Sequence, residues 1–151
     1  MAIDIKVLGK GDEQVLMNVA AEVFDNPVDP ALTGEFLADP RHHIAVAIDN
    51  GLVVGFASGV HYVHPDKPAE LWINEVAVAP SHHRRGLGRQ VVDALLEVGR
   101  THGCCSAWVL TDRTNTAALA LYRSAGGVEG EGGFSAQTVG FDFTLAEQAG
   151  R

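Results

Sequence analysis

Only two cysteines occur in 151 residues, and they are neighbours, Cys104 and Cys105. Adjacent cysteines are poorly placed to bridge each other without strain, and the pair lacks metal-ligand spacing. They read as two small residues leading into a strand, in a chain suited to a reducing cytoplasm. Of the seven histidines, His61, His64, His82 and His83 form no zinc pattern, and no metal is expected. No run approaches the ~20 apolar residues of a membrane span. Met1-Ala-Ile-Asp-Ile-Lys-Val7 has no apolar signal core. Basic residues are scarce: 11 Lys and Arg face 19 Asp and Glu, a net charge of −8. That balance disfavours nucleic acid, whose phosphates need a basic face. It suits a cationic substrate, which an acidic surface steers inward. Two phosphate signatures are also missing. No Gly-Lys-Ser/Thr marks a Walker loop, and no Gly-x-Gly-x-x-Gly marks a dinucleotide site. What remains is 46% apolar, too apolar for global disorder. The length predicts one domain, residues 1–151, with room for a real core.

The stretch Ile73-Asn-Glu-Val-Ala-Val-Ala-Pro-Ser-His-His-Arg-Arg-Gly-Leu-Gly-Arg-Gln-Val-Val92 organises this chain. Residues 71–78 are apolar and β-branched, as a buried strand should be, and Pro80 ends it. Residues 86–100 run at helical spacing. Leu87, Val91 and Leu95 form one stripe with Val92 and Leu96 beside it, while Arg89, Asp93 and Glu97 line the other face. Between strand and helix lies His82-His-Arg-Arg-Gly-Leu-Gly88. N–H groups at a helix start have no internal partner, and the helix dipole adds partial positive charge there. Glycine admits a ligand close to the backbone, and Arg84 and Arg85 add full charges. The turn is therefore an anion site suited to a diphosphate.

The segment His83-Arg84-Arg85-Gly86-Leu87-Gly88 resembles the pyrophosphate loop of the GCN5-related N-acetyltransferases, Gln/Arg-x-x-Gly-x-Gly/Ala. His83 stands where that family usually has Gln or Arg. Further on, Asn115-Thr-Ala-Ala-Leu-Ala-Leu-Tyr-Arg-Ser-Ala-Gly126 resembles the family's Asn-x-x-Ala-x-x-Leu-Tyr-x-x-x-Gly helix. The other elements read as a strand at 3–7 and a helix capped by Asp12, in which Val15, Val19 and Val23 recur with Leu16 and Ala20 beside them. Asp25-Asn-Pro-Val-Asp-Pro30 stops that helix, and a short one follows at 31–38. Strands at 44–48 and 52–63 are joined by Asp49-Asn50-Gly51, a hairpin signal. Gly55 and Gly59 mark bends in the second of them. Then come a strand at 107–110, a helix at 116–125, an unassigned glycine-rich stretch at 127–133 and a strand at 139–145. The resulting order, β-α-α-β-β-β-α-β-α-β-β, is that of the N-acetyltransferase fold. It predicts an α/β (mixed α+β) protein with a central twisted mixed sheet flanked by helices.

Acetyl transfer from a thioester to an amine needs a held coenzyme, a deprotonated amine and a protonated leaving thiolate. The resemblance implies acetyl-CoA as cofactor. It implies that Val76, Ala77 and Val78 hold the pantetheine arm through a bulged or splayed strand. His83, Arg84, Arg85, Gly86, Leu87, Gly88 and Arg89 would take the diphosphate, with Asn115 and Tyr122 completing the site. Strand alternation puts Glu75 with Leu71 and Ile73, so a charge interrupts an apolar face, and Glu75 is the candidate general base. Glu70 stands at the strand start, solvated. Tyr122 is the candidate general acid, its ordinary pKa of ~10 lying close to that of a thiol.

A narrower resemblance runs to the aminoglycoside 3-N-acetyltransferases. It rests on Phe36-Leu-Ala, Ile44-Ala-Val-Ala-Ile, Val53-Val-Gly55, Tyr62-Val-x-Pro65, Glu70-Leu-Trp-Ile-Asn-Glu-Val-Ala-Val78 and the Asp112 loop. Those enzymes have Asp at the position of Glu75. This implies a polycationic small-molecule acceptor, acetylated at an amine such as the 3-amino group by direct attack. Glu75 and Asp112 would supply its carboxylates, with Asp25, Asp29 and Asp142 as lesser candidates. A second possibility within the class is a protein N-terminus, lysine or polyamine as acceptor. A third, of another class, is a non-catalytic acyl-CoA-binding module. A homodimer is common in such enzymes.

Overall fold

The computed structural model describes residues 3–130 and 135–146. It runs β1 (Asp4–Val7), a 3-10 helix (Glu13–Met17), α1 (Pro30–Ala38), β2 (His42–Asp49), β3 (Leu52–Tyr62), β4 (Glu70–Val78), a 3-10 turn (Pro80–His82), α2 (Leu87–Thr101), β5 (Ser106–Asp112), α3 (Thr116–Ser124), β6 (Val128–Glu129) and β7 (Thr138–Thr144). All seven strands join one sheet in the order β1-β2-β3-β4-β5-β7-β6. Every pairing is antiparallel except β4 with β5. This is the mixed α+β architecture that the element order predicts. The glycine-rich stretch contributes β6 at its start, and residues 131–133 lie outside the described residues.

Helix α2 forms where the apolar spacing places it. Leu87, Val91, Val92, Leu95 and Leu96 are all buried, and each contributes about 1.5–3 kcal/mol when removed from water. Gly99 lets the helix lie close to the sheet: a Cβ there would meet Leu71 Cδ2 at 3.2 Å and Leu145 Cδ1 at 3.1 Å. On β7, Val139, Phe141 and Phe143 alternate inward as expected, and all are buried. The Asn50-Gly51 turn takes left-handed φ at both residues, 51° and 81°, the condition for a tight two-residue hairpin. Cys104 and Cys105 form no disulfide.

The helix predicted after Asp12 does not form. Only Glu13–Met17 coils, as a single 3-10 stretch. Val19 then bridges Val53: Ala20 N–H donates to the Val53 carbonyl and Val53 N–H to the Asn18 carbonyl, both at 2.9 Å. Four-residue valine spacing mimics a helix, but β-branched side chains lose rotamer freedom in one. The backbone of Val53, at a register shift between β2 and β3, offers the segment a better partner. Asp12 caps nothing. Its carboxylate accepts from Gly9 N–H at 2.9 Å and sits 3.4 Å from Lys6 Nζ, closing the preceding turn.

A second correction moves the central carboxylate. Ser58 pairs with Glu75 and Gly59 with Ile73, so Asn74 is an extra residue in β4. Before this bulge Leu71 and Ile73 share a face with His61 and Gly59; after it that face carries Val76 and Val78. Glu75 therefore leaves the Leu71–Ile73 face and joins Trp72, Ala77, Phe56 and Ser58 on the other. Gly59 is required at the kink, since a Cβ there would fall 2.6 Å from the Trp72 carbonyl oxygen. Helices α2 and α3 cover the Leu71 side; the segment before α1 covers the other, where Phe24 stacks on Phe56 at 4.2 Å.

Candidate active site

Strands β4 and β5 part in the middle of the sheet. They pair only from Glu70–Ser106 to Ile73–Val109, after which β5 continues with β7 alone. Residues 74–78 consequently present one backbone edge with no strand partner. Unpaired backbone groups at a sheet interior demand hydrogen bonds from elsewhere. The opening is a groove of about 770 Å³, lined among others by Glu75, Val76, Ala77 and Val78 on β4, the turn before α2, Thr111, Asn115 and Tyr122.

At the far end of this groove lies the start of α2. Gly86 is the cap residue, with φ 75° and no side chain to satisfy the helix. Gln90 N–H is the first to bond back, to the Gly86 carbonyl at 3.2 Å, so the N–H groups of Leu87, Gly88 and Arg89 have no partner within the helix. Arg84 also takes a left-handed φ of 64°, curling the loop so that its amides converge. Gly88 allows close approach of α3: a Cβ would lie 3.3 Å from Leu121 Cδ2. Arg84 and Arg89 line the groove, and Arg89 Nε also bonds Asp93 at 2.9 Å. Arg85 is exposed and is not part of the lining.

His83 explains its own departure from the Gln/Arg pattern. It lines the groove, but its Nε2 donates to the Val78 carbonyl at 2.8 Å, fastening the turn to β4. His82 Nε2 makes a second fastening, 2.7 Å from Asp49 on the β2–β3 hairpin. Asn115 both caps α3, accepting from Ala118 N–H at 3.0 Å, and lines the groove, with its amide NH2 left over. Orphan amides with two arginines fit a diphosphate, and an unpaired extended edge fits a pantetheine arm. The residues present thus suit coenzyme A.

Glu75 is exposed and stands where this groove meets a second one of about 300 Å³. The second groove is walled mainly by apolar side chains, Phe24, Val28, Leu32, Phe36, Ile44 and Phe56 among them. Three carboxylates reach it: Asp25, Asp29 and Glu75. Asp25 and Glu75 line both grooves. Asp112 and Asp142 line neither. Asp112 is exposed and accepts from Thr114 N–H at 2.8 Å and Thr114 Oγ1 at 2.6 Å, bonds that hold its pKa below the usual carboxylate value. Asp142 is exposed on β7, opposite Trp108. Tyr122 is 5% exposed, packed against Phe141 and Phe143, yet lines the first groove. Burial raises its pKa above 10.0, which keeps the hydroxyl protonated and able to donate.

The model of the acetyltransferase (GNAT) family matches residues 14–126. The chain belongs to this family. It is an acetyl-CoA-dependent N-acetyltransferase. It is similar to the N-alpha-acetyltransferase RimI of Mycobacterium tuberculosis, 36% identical over 126 residues, 82% of this chain and 77% of that protein. Its fold is also that of the ribosomal-protein-S18-alanine N-acetyltransferase from Escherichia coli, with TM-score 0.70 and 20% identity over 98% of this chain and 97% of that one. An aminoglycoside acetyltransferase from an uncultured soil metagenomic sample gives TM-score 0.71 and 24% identity, covering 89% and 97%. At such identities these two likenesses speak for the fold alone.

For this acetyltransferase, the residues expected to hold the coenzyme line one groove, Arg85 excepted, and of the expected acceptor carboxylates Glu75, Asp25 and Asp29 line the other. Phe24, Val28, Leu32 and Ser58 carry no signal of their own; only the folded chain brings them to Glu75. Nor does spacing announce that His43, His61 and His102 meet. No helix among the described residues is long and apolar enough to cross a membrane.

Proposed function

We propose that this enzyme acetylates the α-amine of a polypeptide N-terminus, with Glu75 as general base and Tyr122 as general acid. The observation that carries the acceptor is the groove beside Glu75: a mainly apolar wall with carboxylates at its junction with the coenzyme groove. An N-terminus brings one ammonium group followed by side chains of mixed character. The ammonium suits Asp25 and Glu75, and the first side chains suit the Phe24, Phe36 and Phe56 wall. At about 300 Å³ the groove is at the small end of ligand pockets, room for a short terminus. The similarity to a protein named for N-alpha acetylation supports the same reading.

In this scheme the bound thioester supplies the acetyl group. Glu75 takes the proton that the amine loses, directly or through one water. The Tyr122 hydroxyl donates a proton toward the position of the leaving sulfur. A second reading, an aminoglycoside acceptor, is favoured by one feature: three carboxylates, Asp25, Asp29 and Glu75, around a single groove. Thiol release from acetyl-CoA separates the two. Catalytic efficiency is compared for short peptides with free N-termini, the same peptides blocked at the N-terminus but carrying lysine, spermidine and gentamicin-type aminoglycosides. Free N-termini are expected to lead by tenfold or more. An aminoglycoside in first place replaces the first reading with the second.

A further inference from the structure

The end of α2 remote from the coenzyme holds a cluster that acetyl transfer does not use. His43 comes from β2, His61 from β3 and His102 from the residue after α2. Their ligand nitrogens all lie within 4.8 Å of one another. We propose that His43, His61 and His102 form a binding site for one divalent transition-metal ion of the zinc type.

The ring orientations suit it. His102 Nδ1 lies 3.0 Å from the Val98 carbonyl, which can only accept, so Nδ1 carries the proton and Nε2 keeps its lone pair. Fixing the tautomer through a backbone carbonyl is how ligating histidines are commonly held. His43 Nε2 and His61 Nδ1 are 2.7 Å apart, one donating its N–H to the lone pair of the other, so both ring nitrogens point into one space and the bridging proton is what an ion would displace. Zinc takes nitrogen at about 2.0–2.1 Å, which in tetrahedral geometry separates two ligand nitrogens by about 3.3 Å, an opening of roughly 0.6 Å from the proton-bridged pair. His43 is buried, and burial, helped by the neighbouring His102 and His61, pushes its pKa down to about 4. His102 is exposed, giving the ion an entrance and leaving a fourth position for water. Three imidazoles select zinc, copper or nickel over the oxygen-seeking magnesium and calcium.

Such an ion would tie the first hairpin to the end of α2. That helix has 15 residues, about 22 Å at 1.5 Å per residue, so the clip and the coenzyme turn lie at opposite ends. The expected role is stabilisation, with acetyl transfer unchanged.

The test uses untagged, metal-free protein without coenzyme or added thiol. Zinc chloride is titrated by calorimetry, and the thermal midpoint is read with and without one equivalent. One equivalent should bind and raise the midpoint. His102→Ala, at an exposed helix end, should weaken binding at least tenfold and abolish the thermal shift. His61→Gln should do the same, so that misfolding of one variant does not decide the outcome. His64→Ala, outside the cluster, should change neither. Cobalt in place of zinc should show a nitrogen-ligand spectrum. Failure of one equivalent to bind, or unaltered affinity in both cluster variants, overturns the proposal. So does a thiolate-to-cobalt charge-transfer band, which would assign the ion to Cys104 or Cys105.

Discussion

The two grooves that meet at Glu75 are made of different materials. The groove proposed for the coenzyme is mostly backbone: the unpaired edge of residues 74–78, the orphan amides of Leu87, Gly88 and Arg89, and glycines that keep side chains out of the way. Most of its parts come from one continuous stretch and the α3 segment, with Val23, Asp25, Phe56 and Thr111 added. The groove proposed for the acceptor is mostly side chains, drawn from the 3-10 helix, the segment at 24–29, α1, β2, β3 and β4. A ligand common to a whole family can be gripped by main chain, which most substitutions away from its glycines leave in place. An acceptor that differs between family members must be gripped by side chains, which can change without disturbing the sheet.

Perturbations should respect that division. The largest effect is expected at the junction. Glu75→Gln should lower turnover by about 100- to 10,000-fold, the usual range for a general base, with acetyl-CoA affinity by calorimetry unchanged. Turnover within a few fold of the parent, with chemistry rate-limiting, would remove Glu75 from the reaction. Tyr122→Phe should come next, at about 100-fold in turnover with little change in the Michaelis constant for acetyl-CoA. The sign of its pH dependence follows from burial. The acid works while protonated and its pKa is raised above 10.0, so its contribution persists below that pH and is lost only above it. A pH–rate profile falling between pH 8 and 9 in the parent, and flat in Tyr122→Phe, would contradict this assignment.

A change confined to the backbone groove should touch one ligand only. Gly86→Glu forces a side chain onto a residue at φ 75° and adds negative charge beside the diphosphate. Acetyl-CoA affinity should drop at least tenfold, while the acceptor's Michaelis constant at saturating acetyl-CoA stays within twofold. The smallest effects should sharpen the contrast on the acceptor side. Asp25→Asn should raise the acceptor Michaelis constant about three- to tenfold, the size of one typical net hydrogen-bond contribution. Asp112→Asn should leave it within twofold, because its carboxylate is spent on Thr114. Steady-state kinetics on both variants with one peptide decides between them, and the reverse order would restore Asp112 as an acceptor residue.

The coenzyme side was legible because its chemistry is local. A strand, a glycine turn with free amides and an amphipathic helix are consecutive in the chain, and each has its own periodicity or conformational requirement. Asn115 and Tyr122 were legible for the same reason, lying seven residues apart on one short helix. The placement of Glu75 was read half correctly. Alternation assumes that no residue is inserted, and the bulge at Asn74, which reverses the face, follows from the pairing with β3 at Gly59.

Sequence by itself determined which segments bury an apolar face and where the backbone offers unpaired N–H groups at a helix start, because both depend on neighbours within a turn or two. Tertiary structure decided the rest. It unwound the expected first helix, since Val53 offered backbone bonds that spacing cannot reveal. It set Phe24 on Phe56 to make an acceptor wall. It left Asp112 and Asp142 outside both grooves. It gathered His43, His61 and His102 from two strands and a helix end. Side chains from distant segments meet only after the sheet has fixed its register, and nothing in their separate surroundings specifies that register.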